Sequence, residues 1–386
     1  MASDSSETLG LSSGTNPGYL GFTSFSAVYR ETQNSLSLVQ GQFTGSPTSL
    51  QLAGSGDAIA AEAGSKAVVL SPRSLENCLI VLHRIPSEDV ALSLFRKHIN
   101  PNDGWIRLAA ERLIESLLSV FGRQLRSRKA RDLEELARVF SENTAKAWSE
   151  EEPDPNLWLS SFSGLNMRWE CLGILFTYWA LASLADQPHR PDLQKPGMNT
   201  ESMTQIYQEA AELCIELCRH SAPNSLLQYL AYKVAIIESM ISGDASPGFW
   251  RLHGQHVALA TYLGMHTIQQ DTSYFPTVAS EARRRLISQV FVIDKVAASF
   301  SGRPPLLSRK YMLTPPPLDL GDEVLFSSPE VIAKAVEALD ERGWNQEGKF
   351  YSTTIVRARR MLASVLDEIM EVSLGDPVYT STEGLL

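Results

Sequence analysis

The chain runs to 386 residues, 44% of them apolar and 20% charged, with a formal net charge of −10. That balance is ordinary for a folded protein and supplies enough apolar surface for one large core or two packed halves. The acidic excess excludes a general attraction to phosphate backbones, so any contact with nucleic acid needs a local basic patch.

Residues 1–70 differ from the rest. Ser, Thr and Gly fill 28 of these 70 positions and only seven are charged. Such a segment buries too little apolar surface to offset its ordering entropy, so it is predicted to be disordered. Its start has neither a basic stretch nor an apolar run, so no secretory signal is expected.

From about residue 71 the helical period takes over, and 71–386 is read as one helical domain. Ile106, Ala109, Leu113, Leu117 and Val120 form one stripe, and Leu133, Leu136, Phe140 and Ala147 the next. Residues 167–185 are apolar nearly all round, as a central helix would be. This run includes the longest apolar stretch, too short and too flanked by charge to cross a membrane. Its Trp169, Phe176, Tyr178 and Trp179 are core residues first and pocket walls second. Leu226, Leu230, Val234, Ile237 and Ile241 make another stripe, and 252–263 and 286–298 repeat the pattern. Ser327, Pro329 and Glu330 predict a helix start, Gly343 its end, and a last helix follows over about 351–372. No stretch sustains strand alternation. The fold class is therefore all-α: antiparallel helices joined by loops, with breaks at 151–156, 186–197 and 303–317.

Chemistry-bearing patterns are few. Cys78, Cys171, Cys214 and Cys218 are too scattered for a disulfide framework and read as reduced thiols. Cys214 and Cys218, with His220 nearby, have the spacing of two metal ligands but lack a third and fourth. His253 and His256 lie one turn apart without the glutamate of a zinc protease site, and with His266 they read as structural or surface residues. Glu150, Glu151 and Glu152 read as solvated. No phosphate loop, nucleophile elbow or paired-carboxylate constellation is present, so no catalytic residue is assigned. Arg123, Arg126, Arg128, Lys129 and Arg131 concentrate five positive charges between two predicted helices, a candidate nuclear-import signal or phosphate contact. Arg283–Arg285 and the Arg357, Arg359, Arg360 group lie within helices and read as solvated faces.

Three passages resemble a known family. In 158–176 a loop leads to Arg168-Trp169-Glu170 and then to a helix of small and apolar residues. Trp250 precedes a helix that ends in Leu263-Gly264-Met265-His266. Last come Arg283-Arg284-Arg285-Leu286, then Asp294-Lys295, then Gly302-Arg303-Pro304-Pro305. In order and spacing these are similar to the fungal-specific transcription factor domain, the middle homology region of fungal zinc-cluster regulators, over about 150–325. Ile287-Ser288 stands where relatives often have a Trp pair, and Lys295 replaces their usual Arg. The residues agree with a structural role: Gly302 can take a positive φ after a helix, Pro304 and Pro305 forbid its continuation, and Arg303 can meet helix-end carbonyls or the carboxylates of Glu170 or Asp294.

The resemblance implies a nuclear transcription regulator for a metabolic or secondary-metabolite gene set. Its partners would be the transcription machinery or another regulator, with a small-molecule effector open and no membrane. The family's zinc cofactor needs six cysteines with Cys-x2-Cys pairs. This chain has four and no such pair, so no cofactor is expected, and DNA would be reached indirectly or through a separate N-terminal module. The alternative is a non-enzymatic ligand-binding or scaffold protein.

Overall fold

In the computed structural model the described residues are 70–98, 105–185, 202–268 and 274–375. The Ser/Thr/Gly-rich segment, residue 70 excepted, and the 186–197 break lie outside them. The chain divides into two units: residues 1–66 with Thr261–Gly264, and residues 67–260 with 265–386. In the first, the Gly264 N–H donates to the Thr261 carbonyl at 3.0 Å, with Gly264 at φ +65°. The second holds the helical domain. Thirteen α-helices and no strand occur among the described residues, apart from one isolated bridge between Leu339 and Asn345.

Local chemistry sets the helix starts. Ser71 caps α1 (Pro72–Arg84) by accepting from the Ser74 N–H, with Pro72 in the first turn. After α2 (Glu88–His98) come α3 (Arg107–Ser127) and α4 (Ala130–Ala145). Asp154 accepts from the Asn156 and Leu157 N–H groups to start α5 (Pro155–Ser160), so the acidic 151–156 break ends in a cap. Ser202 and Gln205 cap each other's ends of the first turn of α7 (Met203–Leu217).

The centre is α6 (Trp169–Ala185), with 14 of its 17 residues buried. It packs against α7, α8 (Ser225–Ser242), α2, α3 and α4. Gly173 permits the closest approach: a Cβ there would lie 2.5 Å from Leu230 and 2.9 Å from Cys214. The remaining helices are α9 (Pro247–Tyr262), α10 (Val278–Ser301), α11 (Asp322–Leu325), α12 (Pro329–Glu337) and α13 (Ser352–Ser373), with α10 and α13 packed together.

The predicted stripes hold from their first residues through their middles and fail at their C-terminal ends. Ala109, Leu113 and Leu117 are buried, but Val120 is exposed and Phe121 takes the inner position. The spacings of that stripe, 3, 4, 4 and 3, average 3.5 residues, so it drifts off the 3.6-residue turn by its last member. Ile241 is exposed at the end of a stripe whose spacings of 4, 4, 3 and 4 drift in the opposite sense, and Ala147 lies exposed beyond the end of α4. Two boundaries also differ. Ser328, not Ser327, is the N-cap of α12, and the helix stops at Glu337. Gly343, at φ +80°, instead closes a separate turn by donating its N–H to the Asp340 carbonyl at 2.8 Å.

Gly302 behaves as its sequence context predicts. It ends α10 at φ +64°, in the left-handed region, with its N–H on the Ala298 carbonyl. A Cβ at this position would meet no atom within 4 Å, so the constraint is backbone strain and not crowding. Gly302→Val is expected to destabilise the domain by about 1 kcal/mol or more. A melting temperature equal to the parent's would contradict this.

Candidate functional site

The family-like residues gather into two buried polar clusters. The first is built on α6. Arg168, 3% exposed, donates to the Asn143 carbonyl at 2.6 Å, the Thr144 carbonyl at 2.8 Å and the Lys146 carbonyl at 3.1 Å. Two of these carbonyls belong to the last turn of α4 and the third to its C-cap residue, where helix carbonyls run short of backbone donors; that of Asn143 also accepts the Lys146 N–H at 3.2 Å. Arg168 also meets Glu170 at 3.1 Å. Glu170, fully buried, accepts from Asn224 at 2.9 Å and from Thr144 at 3.3 Å. Asn224 is itself the N-cap of α8. Trp169 donates its backbone N–H to Thr144 and its indole N–H to Ser141. The Arg-Trp-Glu motif thus binds the end of α4, the start of α6 and the start of α8 into one joint.

The second cluster centres on Asp294 of α10. One carboxylate oxygen meets His253 Nε2 at 2.9 Å and accepts from the Leu306 N–H at 3.0 Å; the other accepts from Lys295 Nζ at 2.9 Å and the Leu307 N–H at 3.0 Å. Burial alone would raise this carboxyl, but these donors outweigh it and hold it below the usual aspartate value. Lys295 also pairs with Asp367 of α13 at 2.9 Å. His253 Nδ1 lies 3.0 Å from His256 Nε2. With the carboxylate accepting from His253, the consistent polarity has His256 Nε2–H donating to His253 Nδ1. Burial pushes His256 down to about 3, with His253 adding to the effect. His253 and His256 are thus structural and fully internal, and not surface residues. Asp294 connects α9, α10, the 303–307 turn and, through Lys295, α13.

Several expectations change in three dimensions. Arg303 pairs with neither Glu170 nor Asp294. It is exposed, lies 4.7 Å over the Trp250 ring and donates to the Ala245 carbonyl at 3.2 Å. Pro304 is exposed in the turn that follows Gly302. The carbonyl of His266 accepts from the Leu313 and Thr314 N–H groups, while burial lowers its imidazole. Glu150 is not solvated: it accepts from the Ser225 N–H at 2.6 Å and lies 3.6 Å from Arg283. Arg284 and Arg285, each 1% exposed, are not a solvated face. Arg284 stacks 3.7 Å over Tyr274, and Arg285 meets Asp322 at 2.6 Å. Arg357 and Arg360 are likewise buried, the latter 4.0 Å over Phe291, and only Arg359 of that group is exposed. These side chains carry cations on long apolar stems, and aromatic faces or carbonyls accept the heads.

The 123–131 cluster lies where the sequence puts it, across the α3–α4 junction, with all five side chains exposed. Two are engaged. Arg126 pairs with Glu88 at 2.6 Å, and Arg128, at φ +48°, donates to the His83 and Ile85 carbonyls. Arg123, Lys129 and Arg131 remain as the outward charges.

All four cysteines are free and buried, and burial raises the thiols of Cys171, Cys214 and Cys218 well above normal. A buried thiol so raised is a poor source of the thiolate that zinc requires. No group of three His, Cys, Asp or Glu placed to hold a metal occurs among the described residues. The described residues therefore do not fit a zinc site, and none of the family's zinc chemistry is assigned to them. No described helix is long and apolar enough to cross a membrane.

Trp169, Phe176, Tyr178 and Trp179 are fully buried core and not pocket walls. A cavity of about 630 Å³ lies elsewhere, lined chiefly from α8, α10 and α13. No local pattern in the sequence announces it, because its walls come from helices far apart in the chain.

Comparison with known proteins places this geometry. Transcription factor FBD3 of Gibberella moniliformis (strain M3125 / FGSC 7600) is 26% identical over 155 residues, 40% of this chain and 20% of that protein. The pyrrolocin cluster transcription factor fsdR of Fungal sp. (strain NRRL 50135) is 24% identical over 180 residues, 45% of this chain and 22% of that protein. The similarity thus spans about a fifth of each relative. No solved structure matches. The profile of the fungal specific transcription factor domain matches residues 150–373, which contain the whole Asp294 cluster and, of the first cluster, Arg168, Trp169, Glu170 and Asn224. The chain belongs to the fungal specific transcription factor domain family.

Proposed function

We propose that this chain regulates transcription in a fungus, through its helical domain, for a metabolic or secondary-metabolite gene set. The family match over 150–373 carries this reading, and the name of one relative, a pyrrolocin cluster transcription factor, favours the metabolic target. It acts in the nucleus by contact with the transcription machinery or another regulator, and not by catalysis. A small-molecule effector sets its state. Arg123, Lys129 and Arg131, exposed and concentrated, serve nuclear import or phosphate contact. The test is deletion of the gene with transcript profiling, and imaging of the tagged protein. A defined gene set should change and the protein should enter nuclei. Unchanged transcripts in every condition, with the protein absent from nuclei, would refute the reading.

Sequence-specific DNA binding needs base contacts from a positioned element, which zinc-cluster regulators obtain from a metal-folded module. The purified chain is expected to bind DNA weakly, without sequence preference, and with an affinity that falls steeply with salt. Changing Arg123, Lys129 and Arg131 together to Gln should remove that residual binding or slow import without unfolding the domain. Arg128 is excluded from the set because its guanidinium satisfies two carbonyls. Tight, salt-resistant binding to one sequence would contradict the expectation.

The cavity supports a second reading, a ligand-binding protein without a transcriptional role. Normal ligand binding with no transcript change on deletion would favour it.

A further inference from the structure

The cavity of about 630 Å³ falls in the size range of small-molecule sites, which are mostly apolar with a few polar groups. Its walls include Ile236 of α8, Val292 and Val296 of α10, and Ile355, Leu362 and Leu366 of α13. Val356, Ala363 and Lys233 also line it and are buried, which gives it a closed floor.

Among the described residues the charged lining is cationic. Lys233 and Arg359 contribute cations, and no carboxylate lines the cavity among the described residues. The Lys233 ammonium lies 5.0 Å from the Tyr178 ring centre and 5.9 Å from that of Tyr229. Arg359 is exposed and makes no ion pair among the described residues. Gln289, on the α10 wall, has an amide Nε2 that is buried and meets no hydrogen-bond partner among the described residues. A buried donor without an acceptor costs stability unless something fills its position. His98 and Tyr232 complete the polar lining and can act either way.

We propose that this cavity binds a small apolar monocarboxylate. The apolar body replaces water against the Ile, Val and Leu walls. The carboxylate accepts from the Arg359 fork and the Gln289 amide. An amine of the same shape meets like charge and leaves the amide donor unmatched. A neutral alcohol supplies the apolar contacts but little of the electrostatic gain. Because α8, α10 and α13 each supply a wall, the ligand bridges three helices, and α13 also carries the Asp367 partner of Lys295.

The proposal deepens the effector part of the functional reading and names its chemical class. A binding titration succeeds or fails whatever the transcripts do, so the two can fail separately. The full chain is titrated calorimetrically with dodecanoate below its micelle concentration, and with dodecanol and dodecylamine as tail-matched controls. Dodecanoate should bind saturably at one site, about tenfold or more tighter than dodecanol, with the amine weakest. Arg359→Glu should weaken dodecanoate by about tenfold or more and leave dodecanol unchanged, since that side chain is exposed and makes no ion pair among the described residues. Val296→Trp, which fills the cavity, should abolish both with the melting profile retained. Equal affinity for acid and alcohol, or tighter binding of the amine, overturns the proposal. So does an Arg359→Glu variant that binds dodecanoate as the parent does. Absence of saturable uptake also overturns it, including in a chain that sediments as a dimer with this face covered by a second copy.

Discussion

Arg168→Met is expected to cost the domain about 3–5 kcal/mol, because it removes one partner of a buried ion pair and leaves the other charged. The substitution keeps most of the apolar stem but deletes donors to three carbonyls, two of them buried, and to one buried carboxylate. Glu170 keeps Asn224 and Thr144 as donors, which limits the loss but does not neutralise the carboxylate. The contrast is Arg219, whose pair with Glu216 at 3.3 Å is exposed on both sides. Arg219→Met should stay within about 1 kcal/mol of the parent. Denaturant unfolding of the two variants at one pH makes the comparison. A cost below about 1 kcal/mol for Arg168→Met would mean that the α4, α6 and α8 joint is held by packing alone.

The second large effect is with pH. In an unfolded chain an imidazole takes its proton near its ordinary value of 6.5, whereas burial delays His256 to about 3. Between those values the unfolded chain binds one more proton than the folded one. Stability is therefore complete above the upper value and falls as pH drops through the window. The slope approaches about 1.4 kcal/mol per pH unit, so acidification from roughly pH 7.5 to 5 should remove about 2 kcal/mol. The groups around His256 are His253 on its own helix, the Tyr232 ring of α8 at 5.8 Å, and Asp294 of α10 reached through His253. Asp294, held below its ordinary value, acts in the same direction at lower pH. Glu281, raised by burial beyond what Arg284 and Tyr274 recover, opposes both. His256→Gln isolates the imidazole: its stability should change by about 2 kcal/mol less than the parent's over the same pH interval. Parallel curves for the two proteins would show that His256 is not the acid-sensitive group.

Much of the helical architecture is legible from residues. A buried helix with apolar residues on every side announces itself, so α6 is legible nearly to its ends. Gly302 is legible because a left-handed C-cap and a following Pro pair leave few alternatives. Boundaries such as the end of α12 are not, because Ser327 and Ser328 offer the same capping chemistry one residue apart. The register of a stripe likewise drifts from an integer spacing within a few turns, which leaves Val120 and Ile241 exposed.

The sequence by itself determined the helical class, the central helix, the α10 stop and the family likeness, since the first three rest on residues close together in the chain and the last on short local motifs in a fixed order. Only the tertiary structure decided what the charged residues do. Arg284, Arg285, Arg357 and Arg360 have the sequence pattern of solvated faces, yet all are buried: Arg284 against Tyr274 just before its helix, the others against carboxylates, carbonyls or rings of other segments. His253 and His256 gain their role from Asp294, 41 residues away from His253. The cavity follows the same logic, with walls from α8, α10 and α13. Charge in a sequence fixes the cost of burial, but the partner that offsets it is a matter of which surfaces meet, and that is a property of packing.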